Sequence, residues 1–327
     1  MRISPASLAS RPGGRSATAL ALVLLLAGCE ADAGAAERPV EGLLLLTRAD
    51  ATSLDVLAAK RDSNDAVAIG LPLPADGASW VSAGRGGILV GTTATGELAT
   101  SGPVDPRGSA ADLAGLEWQP VDAMDDAGTV FAPPAWFATW APSGKRLAAL
   151  GGDLLGGGEV TLLLIDPTAS KMTSIALKRP LLVAPPAWLD EDRLALLAGS
   201  PAEPATIVVD TTTGRITKGS AGERRIATSG DGAVVAISAG PGEPIVLRSS
   251  KAWLADDGTS IGSVEVPDGF TDAIALALDQ AGRRLAIVWL GEDGTPRYDI
   301  HDGKDGWRRV WDQPLTGTSA AAVAWLR

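Results

Sequence analysis

The residue types best suited to chemistry stand in one acidic segment near the end of the chain, around its only histidine, His301. An imidazole beside a carboxylate can act as a general base, with Asp299 or Asp302 orienting the ring. The spacing of Asp299, Asp302 and Asp305 also faintly resembles a calcium loop, although the alternating Asp order and the distal Glu of such loops are missing. The sequence favours a polar hairpin end followed by Asp-Gly turns over both acid–base and metal chemistry.

Two tryptophans directly after this segment form a second candidate site. Trp307 and Trp311 bracket Arg308 and Arg309, and residues four apart on a strand lie on the same face of it. Tryptophan and arginine are enriched among the residues that dominate binding interfaces. The alternative is an outer strand that covers its sheet, and the residues leave both interpretations open.

Composition and missing motifs narrow the functional class. The chain has 327 residues, 46% of them hydrophobic and 20% charged, which is typical of a folded protein. A net charge of −11 argues against nucleic acid and an anionic membrane surface as direct partners. One cysteine excludes an intramolecular disulfide and a multi-cysteine metal site. Phosphate-binding and dinucleotide-binding glycine motifs are absent, so we expect no cofactor and assign no catalytic residue and no metal site.

The N-terminus is typical of an export signal. Arg2, Arg11 and Arg15 precede an apolar run over residues 17–28. A helix of this length is too short to span a bilayer, whereas it has the length of a signal peptide. The sequence therefore predicts a signal peptide over residues 1–28.

The apolar run ends in Leu26-Ala27-Gly28-Cys29, which resembles the lipobox of bacterial lipoproteins. The resemblance implies cleavage between Gly28 and Cys29 and acylation of Cys29, palmitate included, and two or more acyl chains anchor a protein stably. Residues 29–40 are small, polar and end near a proline, which predicts a flexible lipidated tether. We therefore expect a protein exported and anchored to a bacterial membrane, facing away from the cytoplasm; the alternative is an ordinary secretory signal with an accidental cysteine.

Residues 41–327 contain a repeat built from short strand-like runs that Gly, Pro and Asp turns divide. Each unit has an inward strand, a tight turn and a second strand of small or branched apolar residues, and further strands follow. The copies are WVSAGRGGILV (80–90), WAPSGKRLAAL (140–150), WLDEDRLALL (188–197), TSGDGAVVAI (228–237) and LDQAGRRLAIV (278–288). Four strands per unit of about 40 to 60 residues indicate an all-β fold, the β-propeller.

One copy carries a family resemblance. WAPSGKRLAAL resembles the TolB-type, WD40-like propeller repeat, with Ser143 where that repeat prefers Asp. The resemblance implies protein partners in the cell envelope. The remaining copies support a β-propeller fold but do not share the motif of the TolB-type repeat.

The strand count predicts a closed ring. Residues 320–327 resemble an isolated innermost strand, and residues 42–47, 53–58 and 66–71 offer three strands that lack a first. Joining them gives six four-stranded blades of about 48 residues each and hides strand edges. Seven blades or a two-layer sandwich remain open.

Four tryptophans fall at one position of the predicted repeat, and packing between blades explains them better than ligand stacking does. They are Trp80, Trp140, Trp188 and Trp325.

These features favour a lipid-anchored propeller that binds proteins in the cell envelope as a scaffold. The alternative is an extracytoplasmic hydrolase or lyase whose acids converge at the mouth of the propeller channel. Expected partners are the membrane, through Cys29, and envelope proteins, without nucleic acid. The sequence leaves open a small-molecule or glycan ligand, the choice of inner or outer membrane, and the oligomeric state.

Overall fold

The structure, a computed structural model, describes residues 43–48, 53–59, 66–72, 80–93, 95–104, 116–130, 134–152, 159–178, 181–182, 184–314 and 320–326. The predicted signal peptide and tether, with Gly28 and Cys29, lie outside these residues.

The described strands pair antiparallel into six four-stranded sheets. Five of them are each made from four consecutive strands and are called blades 1 to 5. Blade 1 contains β4 (Trp80–Ala83), β5 (Ile88–Thr92), β6 (Leu98–Pro103) and β7 (Trp118–Pro120). Blade 2 contains β8 (Ala135–Trp140), β9 (Leu147–Gly151), β10 (Val160–Asp166) and β11 (Lys171–Leu177). Blade 3 contains β12 (Ala187–Trp188), β13 (Arg193–Gly199), β14 (Pro204–Asp210) and β15 (Ile216–Ala221).

The last two blades follow the same plan. Blade 4 contains β16 (Arg225–Thr228), β17 (Val234–Ser238), β18 (Ile245–Ser249) and β19 (Gly262–Val264). Blade 5 contains β20 (Phe270–Leu278), β21 (Arg284–Gly291), β22 (Pro296–Asp302) and β23 (Arg308–Pro314). The described chain also has one short helix, α1 (Ser250–Ala255), and two 3₁₀ turns, at Arg85–Gly87 and Gly303–Asp305.

The sixth sheet unites distant parts of the chain in the order β24-β1-β2-β3. These strands are β1 (Leu43–Arg48), β2 (Ser53–Ala59), β3 (Ala66–Pro72) and β24 (Ala320–Leu326). Leu44 of β1 lies opposite Trp325 of β24 on one side and opposite Leu57 of β2 on the other. The first strands of neighbouring sheets contact one another, and β24 contacts both β20 and β4, so the first strands surround a channel.

Local sequence explains the first two strands of each blade. The turn between β8 and β9 closes with the Gly144 amide donating to the Ala141 carbonyl, at 2.8 Å and with a φ of 72° at Gly144. Only glycine adopts that backbone conformation without strain, which explains the repeated glycine. The second strand then lies inside the sheet with both faces covered, so all of Leu147–Gly151 is buried and reads as an unbroken apolar run.

The core of the described chain is a series of apolar layers between neighbouring sheets. Alternate residues of a second strand enter different layers: Leu147 and Ala149 pack toward blade 1, and Ala148 and Leu150 pack toward blade 3. The same division recurs between blades 3 and 4, between blades 4 and 5, and between blade 5 and Val323 of β24. Blades 2 to 5 are therefore each held by apolar contacts with both neighbouring sheets.

This architecture confirms the prediction of an all-β propeller with four-stranded blades. The alternative of a two-layer sandwich is wrong, because the strands separate into many small sheets that pack in sequence around a channel. A seventh sheet is not found in the described part of the chain.

Candidate functional site

A cavity of about 320 Å³ opens where the first strands end, and we call it the channel mouth. Strands β4, β8, β12 and β24 each bring one tryptophan to its lining, and β16 and β20 complete the circle. The tryptophans are Trp80, Trp140, Trp188 and Trp325. Side chains with hydroxyl or amide groups lie between them: Ser82, Thr139, Thr228, Ser229 and Gln280.

Three of the four indoles also donate hydrogen bonds to a neighbouring sheet. Trp188 Nε1 donates to the Thr139 carbonyl at 3.3 Å, and Trp325 Nε1 donates to the Ala277 carbonyl at 3.0 Å. Each of these bonds joins the first strand of one sheet to the first strand of the sheet before it. Trp140 differs, because its Nε1 is buried without a hydrogen-bond partner among the described residues. Trp80, Trp140 and Trp325 are half-buried and thus combine packing between blades with partial exposure, whereas Trp188 is buried in the layer between blades 2 and 3.

Trp80 does not occupy the repeat position that the sequence analysis gave it. Ala83 pairs with Leu89 across the first turn of blade 1, as Trp140 pairs with Leu147 in blade 2. Ala83 is therefore the counterpart of Trp140, and Trp80 lies three residues earlier. Its indole accordingly donates forward to Ala138 of blade 2, at 3.1 Å, instead of back to the preceding sheet.

The strand that presents Trp140 carries a bulge. The register of β8 against β9 shifts between Trp136 and Thr139, and Phe137 has a φ of 55°. Such a conformation is uncommon for a bulky residue and recurs at functional sites. The Phe137 ring packs edge-on against Trp80, with 5.6 Å between ring centroids. A bulge re-aims the residues that follow it, and here those residues are Thr139 and Trp140 in the lining.

Arg85 is the only charged residue in the described lining of the channel mouth, and this lining contains no carboxylate. Its side chain is exposed and makes no ion pair or hydrogen bond with the described chain. A tight 3₁₀ turn holds it: a Cβ on Gly87 would lie 2.2 Å from the Val104 carbonyl oxygen, and Gly87 has a φ of 77°. The turn therefore presents a lone guanidinium to the cavity rim.

The predicted acid–base pair lies elsewhere, buried between blades 4 and 5. Asp299 accepts hydrogen bonds from Arg297 Nε at 3.1 Å, Arg297 Nη2 at 3.0 Å and Trp289 Nε1 at 3.1 Å. Burial raises the pKa of Asp299, but the nearby His301 and Arg297 side chains outweigh it and hold that pKa below its ordinary 3.8. The carboxylate is thus ionised and neutralised inside the protein.

His301 belongs to the same closed interface. Its Nδ1 lies 3.0 Å from the Trp307 carbonyl and donates to it, and its Nε2 lies 3.9 Å from Oδ2 of Asp299. Only 6% of the residue is exposed. A general base must reach the proton that it abstracts, so this geometry fits the structural interpretation of His301.

The other two acidic residues of this segment are Asp302 and Asp305. Asp302 caps the 3₁₀ turn by accepting from the Lys304 amide at 2.8 Å, and the side chain of Asp305 lies outside the described residues. Within the described residues, no group of three His, Cys, Asp or Glu side chains comes together as a metal site would require.

The structure separates the members of the predicted Trp/Arg face. Trp307 is buried against Gly262 of blade 4, lies just before β23 and has a φ of 62°, outside the range of a regular strand. A bulge then pairs Arg309 with His301 and Trp311 with Ile300, so one residue more separates them than in a regular ladder. Arg308 and Arg309 are exposed, and the side chain of Trp311 lies outside the described residues. Trp307 therefore packs between blades, apart from the exposed arginines.

Acidic residues elsewhere in the described chain, such as Asp125 and Asp293, close turns. Asp125 accepts from the Thr129 amide at 2.7 Å, and Asp293 accepts from the Thr295 amide at 2.8 Å. The latter bond lowers the pKa of Asp293, and hydrogen bonds from Thr212 and Thr213 lower the pKa of Asp210 to about 2. These carboxylates are engaged with backbone and hydroxyl groups, as turn residues are.

One enzyme-like motif escaped the sequence analysis. Residues 258–262 read Gly-Thr-Ser-Ile-Gly, which matches the Gly-x-Ser-x-Gly pattern of serine hydrolases. That pattern works where a strand turns sharply into a helix, whereas here it follows α1 and leads into β19. Ser260 is exposed, and no described side chain donates to it or accepts from it, so no described group activates it as a nucleophile.

No helix in the described ranges is both long and apolar enough to cross a membrane. No protein-family model matches the sequence, and no curated protein matches it.

Solved structures share the fold at low sequence identity. A TolB from Acinetobacter baumannii is 11% identical over 88% of this chain and 67% of its own, with a TM-score of 0.59. A chain of the nidogen/laminin complex is 10% identical over 87% of this chain and 98% of its own, with a TM-score of 0.60. A periplasmic gluconolactonase from Pseudomonas aeruginosa is 15% identical over 85% of this chain and 84% of its own, with a TM-score of 0.51. At these identities the likeness shows a β-propeller fold, which does not by itself determine function.

Proposed function

We propose that this protein is an exported, lipid-anchored propeller that binds a protein partner in the bacterial cell envelope and acts as a scaffold. The observation that carries the proposal is the lining of the channel mouth, where four tryptophans and Arg85 meet without a described carboxylate. Tryptophan and arginine are the usual anchors of binding surfaces. A hydrolase or lyase built on acids would need carboxylates at this mouth, so the lining favours binding over that alternative.

The proposed location rests on the leader and the tether. Residues 1–28 direct export, acylated Cys29 holds the protein at the membrane, and residues 29–40 let the propeller stand away from the bilayer. Two proteins with the same fold are a TolB and a periplasmic gluconolactonase, which accords with a position outside the cytoplasm.

We further propose that the six sheets act as a six-bladed ring that β24 closes. The register between β1 and β24 and the contacts of β24 with β4 and β20 support it. Deleting residues 320–327 would expose an edge of β1 and remove Val323 from its core layer. We expect a clearly lower melting temperature for the truncated protein; a wild-type melting temperature would contradict ring closure.

The experiment that tests the scaffold is a crosslinked pull-down from native membranes, read by mass spectrometry, with wild type beside Cys29→Ser. We expect a defined protein partner with the anchored form only. Two further anchored variants separate the anchor from the recognition site. Arg85→Gln removes the cation of the mouth, and Lys145→Gln removes an exposed cation from the corresponding turn of blade 2 without touching the lining. Recovery of nothing specific with either wild type or Cys29→Ser would contradict the scaffold.

A further inference from the structure

We propose that the channel mouth is a binding site for a single-ring sugar acid, whose carboxylate pairs with Arg85 and whose ring lies against the tryptophans. This inference goes beyond the scaffold function and needs neither the anchor nor a protein partner, since it rests only on the described lining.

The size of the cavity selects a small ligand. Small-molecule pockets span about 300 to 1,000 Å³, and the channel mouth, at about 320 Å³, stands at the lower end of that range. One ring with its substituents fills such a space.

The charge of the lining selects an anion. The chain carries 39 acidic residues, yet none of them is in the described lining, and Arg85 is its only cation. An aromatic cage for a quaternary ammonium group relies on the same tryptophan chemistry, but Arg85 would repel such a ligand. A guanidinium without a partner in the described chain instead fits a carboxylate, which it can bind through two parallel hydrogen bonds.

The remaining side chains select a sugar ring over a purely apolar acid. A pyranose offers an apolar C–H face together with hydroxyl groups at its edge, and therefore needs an aromatic platform and hydrogen-bonding groups side by side. The half-buried Trp80, Trp140 and Trp325 supply the platform. Ser82, Thr228 and Gln280 are half-buried in the lining, and their side chains make no hydrogen bond with the described residues. A hydrophobic acid would leave these three groups without partners.

The test is a titration of the purified full-length protein in detergent with D-glucuronate, followed by tryptophan fluorescence and by calorimetry. D-glucose serves as the ring without a carboxylate, and cyclohexanecarboxylate as the carboxylate on a ring without hydroxyls. A hydrogen bond to a charged group contributes about 1.5–3 kcal/mol, so we expect D-glucuronate to bind ten- to hundredfold more tightly than D-glucose. Cyclohexanecarboxylate should bind at least several-fold more weakly than D-glucuronate.

Two variants, with Lys145→Gln as the control, test which side chains contact the carboxylate and the hydroxyl groups. Arg85→Gln should weaken D-glucuronate binding at least tenfold and leave the melting temperature unchanged, because the side chain is exposed, and Lys145→Gln should change neither. Thr228→Val should weaken D-glucuronate binding and spare cyclohexanecarboxylate. The proposal is overturned if D-glucuronate shows no saturable binding, if D-glucose binds equally well, or if folded Arg85→Gln binds like wild type. A failed pull-down would not change these results, so the two proposals can fail separately.

Discussion

The channel mouth and the interface between blades 4 and 5 use the same residue types in opposite ways. Both bring tryptophan, arginine and polar side chains together. In the interface, Asp299 accepts hydrogen bonds from Arg297 and Trp289, and both Asp299 and His301 are buried. At the mouth, the side chains of Arg85, Ser82, Thr228 and Gln280 line a cavity and make no hydrogen bond with the described chain. Side-chain types therefore do not distinguish a ligand site from a structural network, whereas unmet hydrogen-bonding capacity beside a cavity does.

The largest loss of stability should follow from removing a large side chain from the interface between blades 4 and 5. Trp307→Ala removes a buried ring that packs against Gly262, and such truncations cost about 3–5 kcal/mol of unfolding free energy. Chemical denaturation measures this loss, with Arg308→Ala as the exposed neighbour that should stay within about 0.5 kcal/mol of wild type. A loss below about 1 kcal/mol for Trp307→Ala would show that the ring is not part of the core.

Removing the buried charge should be the next largest effect. Asp299→Asn leaves Arg297 without its carboxylate in a largely buried position, and breaking a buried ion pair from one side costs about 3 kcal/mol. The same denaturation experiment measures it. Binding of D-glucuronate at the channel mouth should not change. If Asp299→Asn instead kept its stability and lost this binding, the interface would be the ligand site and not a structural network.

The contribution of Asp299 should also depend on pH. Its pKa in the folded protein lies below its ordinary value of 3.8, so the ionised group stabilises the fold fully above that value and loses its contribution as the pH falls through the lowered folded pKa. The stability difference between wild type and Asp299→Asn should therefore be constant near neutrality and shrink below pH 3.8. A difference that instead grows as the pH falls would mean that Asp299 is protonated in the folded protein.

A smaller effect is expected at the mouth itself. A Cβ on Gly84 would lie 2.6 Å from Cγ of Trp140, so Gly84→Ala must displace that ring. Overpacking of this kind costs about 1–3 kcal/mol, and tryptophan fluorescence should shift together with the affinity for D-glucuronate. Gly102→Ala, where a Cβ would meet no atom within 4 Å, is the matched control and should alter neither. Equal behaviour of the two variants would contradict the described packing of Trp140.

Short-range patterns explain why the four-stranded plan was predictable. Apolar residues after the turns, such as Leu147, Leu194 and Leu285, lie at the start of strands whose central residues are buried. The turn glycines Gly144, Gly232 and Gly282 all have a positive φ. These features depend only on residues a few positions apart. They predicted the bounds of β1, β2 and β3 to within one residue of those observed.

The incorrect sequence predictions arose where residues were matched by their type and not by their position in the strand register. Matching Trp80 with Trp140 relied on a shared aromatic residue, whereas the apolar residue after the turn, Leu89, would have aligned Ala83 instead. The Trp307–Trp311 face assumed a regular strand, which the positive φ of Trp307 and the bulge after it interrupt. The pairing of Asp299 with Trp289 depends on the sheet register, and the channel mouth depends on how the sheets are arranged around their axis. Neither is encoded in local spacing.

The place of β1 inside its sheet determines how the fold would carry a mechanical load. Strand β1 is hydrogen-bonded on one side to β24 and on the other to β2. A force applied along the chain that precedes Leu43 would therefore pull on a strand with two ladders and not on a free edge, and it would have to shear both ladders before the strand could leave. In the proposed anchored protein, tension from the membrane would therefore reach the fold at a strand that is hydrogen-bonded on both sides.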